Sequence, residues 1–253
     1  MQFSLFQGAK RRKRLKNALY IPVIFLVLVA AMVFAMSIFF RVARIEVIGN
    51  QKYAANDVII ASGLEEGENL VFINRFAAVS RLFSRLPYVE KASVVRKLPN
   101  KVVIEISECV SIAYVTLDSQ PWIIDRNCKV LAQAKPADME SLIRIDGISP
   151  INPTVGEKMK VSAEDTDKVP YISEILDQIQ KREIQKDFSS INIADNSAPT
   201  MSYLSRFFVK LGPLDNTEQK FGKMLSAVSK LKSGDTGTLD LSLDSNKVVF
   251  SPE

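Results

Sequence analysis

From Leu19 to Phe40 the chain carries no charged side chain, and six of the seven residues Lys10–Lys16 ahead of this run are Lys or Arg. As a helix the run rises about 33 Å at 1.5 Å per residue, enough to cross a hydrocarbon core of about 30 Å with slight tilt. No second run of this kind follows, so a single transmembrane helix is expected, with the remaining residues folded on one side of it. Lys and Arg flanking a span are retained in the cytoplasm. Lys10, Arg11, Arg12, Lys13, Arg14 and Lys16 outweigh Arg41 and Arg44, which puts the N-terminus inside and the folded portion outside. A cleaved signal peptide shares this plan, and Ala35-Met36-Ser37 is a tolerable small-x-small site. The apolar run is longer than the ~7–15 residues of a signal h-region, which favours an uncleaved anchor.

The overall charge of +5 belongs to the tail. Seven of the 33 Lys and Arg lie at or before Arg41, and the other 26 face all 28 Asp and Glu. The exported portion is therefore near −2 and offers no basic face for nucleic acid.

Histidine is absent. That removes Ser-His-Asp and Cys-His arrangements, imidazole bases and His metal ligands. No Walker A, GxGxxG or GxSxG sequence occurs. The acidic groups Glu65, Glu66 and Glu68, or Asp165 and Asp167, are where a paired-carboxylate hydrolase would be sought, but they lie among Gly, Ser, Asn and Thr, as solvated loops do. No catalytic residue, cofactor, metal site or small-molecule substrate is expected. Cys109 and Cys128 are open to two readings, a disulfide outside the cell or two buried free thiols.

After the span the pattern is that of a compact unit. Arg44–Ile48 alternates with period two and ends at Gly49-Asn50, as a short strand does. A helix fits Ala54–Ala61, stopped by Ser62-Gly63. Phe72, Phe76, Val79, Phe83 and Leu86 recur at helical spacing and predict the buried face of a second helix, closed by Pro87. Val89–Lys97 and Lys101–Glu108 read as strands joined by the turn Leu98-Pro99-Asn100. The order β-α-α-β-β makes a small three-stranded sheet with both helices on one face and the other face left for water or a partner.

Further on the pattern mixes helices and strands. Pro121–Asp125 with Val130-Leu131 reads as a hairpin, Ala134–Asp138 as a loop, Leu142–Ile145 as a strand and Ile148–Lys160 as a connection. Val169, Ile172, Ile175, Leu176 and Ile179 mark a helix, and Ser189–Ile193 and Tyr203–Leu211 two strands. Asp215 or Asn216 can cap a further helix whose buried face is Phe221, Met224, Leu225, Val228 and Leu231. The last element is Gly237–Phe250, extended, with a turn at Asp244-Ser245-Asn246. Terminal strands often finish as sheet edges, whose unpaired backbone groups can take an incoming strand.

The fold class is thus α+β. A basic cytoplasmic tail occupies residues 1–18, a span residues 19–40, a β-α-α-β-β unit residues 41–109 and a second mixed α/β extracytoplasmic unit residues 110–253.

Three runs carry a likeness: a strand ending in Gly49-Asn50, Ser-Gly-Leu-x-x-Gly-x-Asn-Leu at Ser62–Leu70, and Pro-Tyr-Val-x-x-Ala-x-Val-x-Arg-x-Leu-Pro at Pro87–Pro99. Together they resemble a POTRA domain of the FtsQ/DivIB type, found in bacterial cell-division proteins, and the likeness continues into Pro121–Asp125 and Val130-Leu131. The chain departs from the family pattern at Cys109 and Ser111, where Arg and Pro are usual. It departs again at Cys128, where the hairpin turn usually has Gly and where Asn127 is expected to take the left-handed conformation instead.

The resemblance implies recruitment at the division septum rather than catalysis. It implies FtsB/DivIC-like and FtsL-like coiled-coil subunits as partners, and through them the septal peptidoglycan synthase complex. In this family the coiled-coil partner docks on the C-terminal part of the second domain. That places the partner edge on Thr238, Leu239, Leu241, Leu243, Lys247, Val248, Val249 and Phe250, with a proline at Val249 expected to block strand addition. A POTRA-bearing transport or chaperone factor is the alternative, against which stands the lack of ten-residue alternating barrel segments.

Overall fold

The computed structural model describes residues 8–242 and 248–252, with side chains described from Tyr20 onward. Helix α1 (Gly8–Phe39) contains an apolar stretch, Tyr20–Phe39, long enough to cross a membrane, and begins inside the basic segment. The chain divides into two compact units, Met1–Leu82 with Lys91–Ile106, and Phe83–Glu90 with Ser107–Glu253.

The first unit follows the expected order: β1 (Arg44–Ile48), α2 (Ala55–Ser62), α3 (Arg75–Arg85), β2 (Val89–Lys97) and β3 (Lys101–Glu108). The sheet order is β1-β3-β2, with β1 parallel to β3 in the register Arg44↔Lys101. Gly49, at φ +87°, closes β1 where an added Cβ would lie 2.0 Å from the Ile106 carbonyl oxygen, so the turn requires glycine. Val58, Ala61, Ala78 and Leu82 of the helices are buried, as are Ile45, Val94, Val102 and Ile104 of the strands. Val103 is also fully buried, so the other face of the sheet is not open along its whole length.

The expected face of α3 is corrected. Leu86 is buried as expected, but with it are Ala78 and Leu82, whereas Phe72, Phe76 and Phe83 are exposed and Val79 is half-buried. Residues 78, 82 and 86 form their own i, i+4 stripe one residue round from the aromatic one. Periodicity alone does not choose between two adjacent stripes, and the small Ala78 allows the close approach that the aromatic stripe would not.

Among the described residues the second unit is built on a single nine-stranded sheet in the order β12-β11-β10-β9-β8-β7-β4-β5-β6. Its elements are β4 (Ala113–Leu117), β5 (Gln120–Ile124), β6 (Val130–Gln133), the one-turn α4 (Pro136–Met139), β7 (Ile143–Asp146), α5 (Lys168–Lys181), β8 (Phe188–Asn192), β9 (Thr200–Tyr203), β10 (Phe207–Lys210), α6 (Thr217–Val228), β11 (Gly237–Asp240) and β12 (Val249–Pro252). Helices α5 and α6 are the crossovers of the parallel pairs β7–β8 and β10–β11, and both bury their apolar residues in one core with Ile124, Ile143, Ile191, Met201 and Leu239. All five apolar residues expected on α5 are buried; on α6, Phe221 and Met224 are buried, and Leu225, Val228 and Leu231 pack against the core partly buried.

Four local expectations are corrected. Tyr203–Leu211 is the end of β9, a turn and β10, because Leu204 and Ser205 both take φ near +55°; neither is a residue type that favours positive φ. Within Ala134–Asp138 the residues from Pro136 open α4, with Pro136 at its start and the Lys135 N–H donating to the Asp138 carboxylate. Asn216 occupies the N-cap of α6 without a side-chain cap bond, while the Asp215 carboxylate pairs with Lys220. Cys128 itself takes φ +59° in the β5–β6 turn. That strain is tolerated because the buried Asp125 carboxylate accepts the N–H groups of both Asn127 and Lys129 at 2.8 Å, fixing the turn around it. The turn expected at Asp244-Ser245-Asn246 lies outside the described residues.

Both cysteines are free thiols buried within the second unit. Desolvation, with the Asp125 carboxylate as hydrogen-bond partner and like charge, pushes Cys109 up to about 12; burial, then Asp125, does the same to Cys128.

Candidate partner-binding edge

The sequence expectation put the partner edge on Thr238–Phe250, on both sides of a turn. The structure resolves it into two strands with different neighbours. β11 is paired on both sides, parallel to β10 and antiparallel to β12. β12 is the end of the sheet among the described residues, with β6 at the opposite end.

Hydrogen-bond direction follows from the ladder. The N–H groups of Gly237 and Leu241 donate to Arg206 and Lys210, so odd-numbered residues of β11 turn their backbone toward β10. Thr238 and Asp240 then face β12, where they stand opposite Ser251 and Val249. It follows that Val249 and Ser251 are committed inward, and Phe250 turns its N–H and C=O outward from the sheet. Pro252 presents outward only a carbonyl. A proline at Val249 would therefore break the β11–β12 ladder rather than the outer edge; the outward donor is Phe250.

Side chains divide differently. Leu239 and Leu241 are buried in the core, and Thr238 is half-buried. Phe250 packs edge-on against Phe207, ring centroids 6.1 Å apart, and Val249 is exposed. Leu243 and Lys247 lie outside the described residues. Gly237, at φ +148°, holds β11 so close to β12 that a Cβ there would lie 2.2 Å from the Ser251 carbonyl oxygen.

Beside this edge lies an open groove of about 740 Å³, lined by Gln219, Gly222, Lys223, Ser226, Lys230 and Val248 among others. Apart from Val248, sequence reasoning missed these positions. They form the polar outer face of α6, which by spacing reads as an ordinary solvated helix face. Only the placement of Val248 against α6 makes them one wall of a groove.

The acidic groups considered for hydrolysis are not gathered. Glu65 and Glu66 are exposed in a loop of the first unit. Asp165 is buried in the second, accepting the Ser149 N–H at 2.8 Å and pairing with Lys168 at 2.7 Å. The Lys168 ammonium, with the Ser149 N–H, holds its carboxyl below the usual range. Among the described residues no group of three or more Cys, Asp or Glu is placed to hold a metal ion.

Residues 40–108 match the family model of the FtsQ-type POTRA domain. Over 245 residues, 95% of this chain and 93% of the relative, the sequence is 26% identical to the cell division protein DivIB of Clostridium botulinum strain Hall. It is 26% identical to DivIB of Clostridium tetani over 84% of this chain and 80% of that protein, and 20% identical to DivIB of Bacillus subtilis over 92% and 83%. The chain is similar along most of its length to DivIB cell division proteins. Its role lies in bacterial cell division, and its N-terminal apolar helix fits the single membrane anchor of such a protein. In this chain the POTRA match ends at the close of β3, and the second unit carries both the β12 edge and the groove.

Proposed function

We propose that this chain is a non-enzymatic, single-pass scaffold of the divisome. The basic flank Lys10–Lys16 holds the N-terminus in the cytoplasm, and the folded units act outside the membrane at the septum. They link early division components to FtsB/DivIC-like and FtsL-like coiled-coil subunits, and through these to septal peptidoglycan synthesis.

The observation that carries this reading is the terminal strand β12, with an outward Phe250 backbone next to a groove. An incoming strand gains main-chain hydrogen bonds at Phe250, while the groove supplies choice. Lys223 and Lys230 on its wall favour a partner segment carrying carboxylates.

The test is fluorescence localisation of the full chain, labelled at its N-terminus, through the cell cycle of its own host. A band at mid-cell during constriction supports the scaffold reading. Even peripheral staining throughout division would refute it.

A further inference from the structure

Phe72, at the start of the aromatic stripe left outside the POTRA core, lies close along the chain to residues bonded to the exit of the span. The N–H of Leu70 donates to the Phe40 carbonyl at 2.7 Å, that of Val42 to Glu68 and that of Gly67 to Val42, both at 2.8 Å. A second, chain-distant segment is tied to the same place: the Ala43 N–H donates to the Asn100 carbonyl at 2.8 Å. Two loops, 67–70 and 98–100, are thus fixed by backbone bonds to the four residues that follow α1.

Bare apolar side chains lie in the second loop and just beyond the first, with Phe76 in the first turn of α3. Phe72 and Phe76 are each 84% exposed and Leu98 is 72% exposed, with Val71 beside them. Phe72 lies two residues from Leu70, and Leu98 two from Asn100, so each Cα lies within about 7 Å of a residue bonded to the span exit. The headgroup layer is itself about 5–7 Å thick on each side of the hydrocarbon core.

We propose that Phe72, Phe76 and Leu98 form a membrane-interface foot by which the POTRA unit rests on the bilayer around its own span. The occupant is the lipid interface, because for any anchored copy of the chain it already surrounds the exit to which both loops are bonded. Phe and Leu side chains bury at the boundary between headgroups and acyl chains. Charge does not drive the contact: along the segments that meet there Arg41, Arg44, Arg75, Lys97 and Lys101 stand against Glu46, Glu65, Glu66 and Glu68. The contact therefore forms on uncharged lipid as readily as on anionic lipid.

The inference rests on the anchor of the proposed function and is tested in the full chain, reconstituted in phosphatidylcholine vesicles. Trp122, the sole tryptophan, is changed to Phe; among the described residues its indole nitrogen has no hydrogen-bond partner, and Phe keeps an aromatic ring against the core. Single reporters are placed by Phe76→Trp, Leu98→Trp and, at the far end of β1, Ile48→Trp. The expected result is that the Phe76 and Leu98 reporters are quenched several-fold more by lipid spin-labelled near the headgroup than the Ile48 reporter, and are shielded from iodide. Adding phosphatidylglycerol leaves this unchanged. Iodide quenching equal to that of the Ile48 reporter, in vesicles that retain the chain through a carbonate wash, overturns the foot while leaving the anchor intact. Shielding from both quenchers overturns it in favour of contact between copies. A chain lost in the wash overturns the anchor and the foot together.

Discussion

Leu239 and Phe250 stand opposite each other in the β11–β12 ladder, and the pairing that leaves Leu239 buried in the core leaves the Phe250 backbone facing out of the sheet. One strand serves the fold and the next offers an edge. A partner can thus be bound without uncovering any core side chain, because strand addition uses backbone groups that the fold does not need.

The closeness of these two strands depends on Gly237. Replacing it by Ala puts a Cβ against the Ser251 carbonyl at a φ that L residues avoid, at an expected cost of about 1–3 kcal/mol. β12 should detach before the rest of the sheet. Hydrogen exchange of the Thr238 and Asp240 amides should rise in Gly237→Ala while that of the Met201 amide in β9 stays slow.

The two thiols make stability fall in alkali. Each is raised from an unfolded value near 9 to about 12 in the folded protein, so above pH 9 the unfolded chain holds fewer protons than the native one. The stabilising contribution is complete below pH 9 and is lost as pH rises toward 12, with a slope of about 1.4 kcal/mol per pH unit for each thiol. Burial raises Tyr171 and Tyr203 as well, with the same sign. Urea midpoints of the native protein should therefore fall more steeply across this window than those of a Cys109→Ala, Cys128→Ala double variant. Neither thiol should react with a thiol reagent at neutral pH until the chain is unfolded.

Asp165 works in the opposite direction. Its folded carboxyl is held below the usual range, so its contribution is present above the unfolded value and is lost as pH falls through the folded one. Asp165→Asn should destabilise by about 1–2 kcal/mol at neutral pH, since charged hydrogen bonds to Ser149 and Lys168 are weakened. The difference from the native protein in chemical denaturation should close in acid.

In the POTRA unit, Leu82→Ala should cost about 2–5 kcal/mol, as a cavity in a closed core does. Phe76→Ala should change stability by less than about 0.5 kcal/mol, as exposed substitutions do. Equal losses in thermal unfolding of the two variants would mean that the aromatic stripe is core after all.

These pairs show what could be read from sequence. The span, the β-α-α-β-β order and the buried face of α5 were legible because long apolar runs and strong periodicity follow from burial itself. The choice between two adjacent stripes on α3 was not, since both recur at helical spacing. The β9–β10 turn was hidden because Leu204 and Ser205 adopt left-handed backbone with no Gly or Asn to mark it. At the candidate edge, the sequence showed two extended stretches either side of a turn but assigned the partner edge to both. Which of them is flanked, and which amides point outward, depends on pairing with Arg206 and Lys210 far back in the chain. The groove depends likewise on Val248 meeting α6.

The most direct measurement of the account is capture of the host's DivIC-like and FtsL-like subunits by the full chain, comparing Phe250→Pro with Phe250→Ala. Both variants lose the ring against Phe207, and only the proline loses the outward N–H, at a strand position where an edge tolerates it. The account expects capture by the native chain and by Phe250→Ala, and none by Phe250→Pro. Undiminished capture by Phe250→Pro would contradict it.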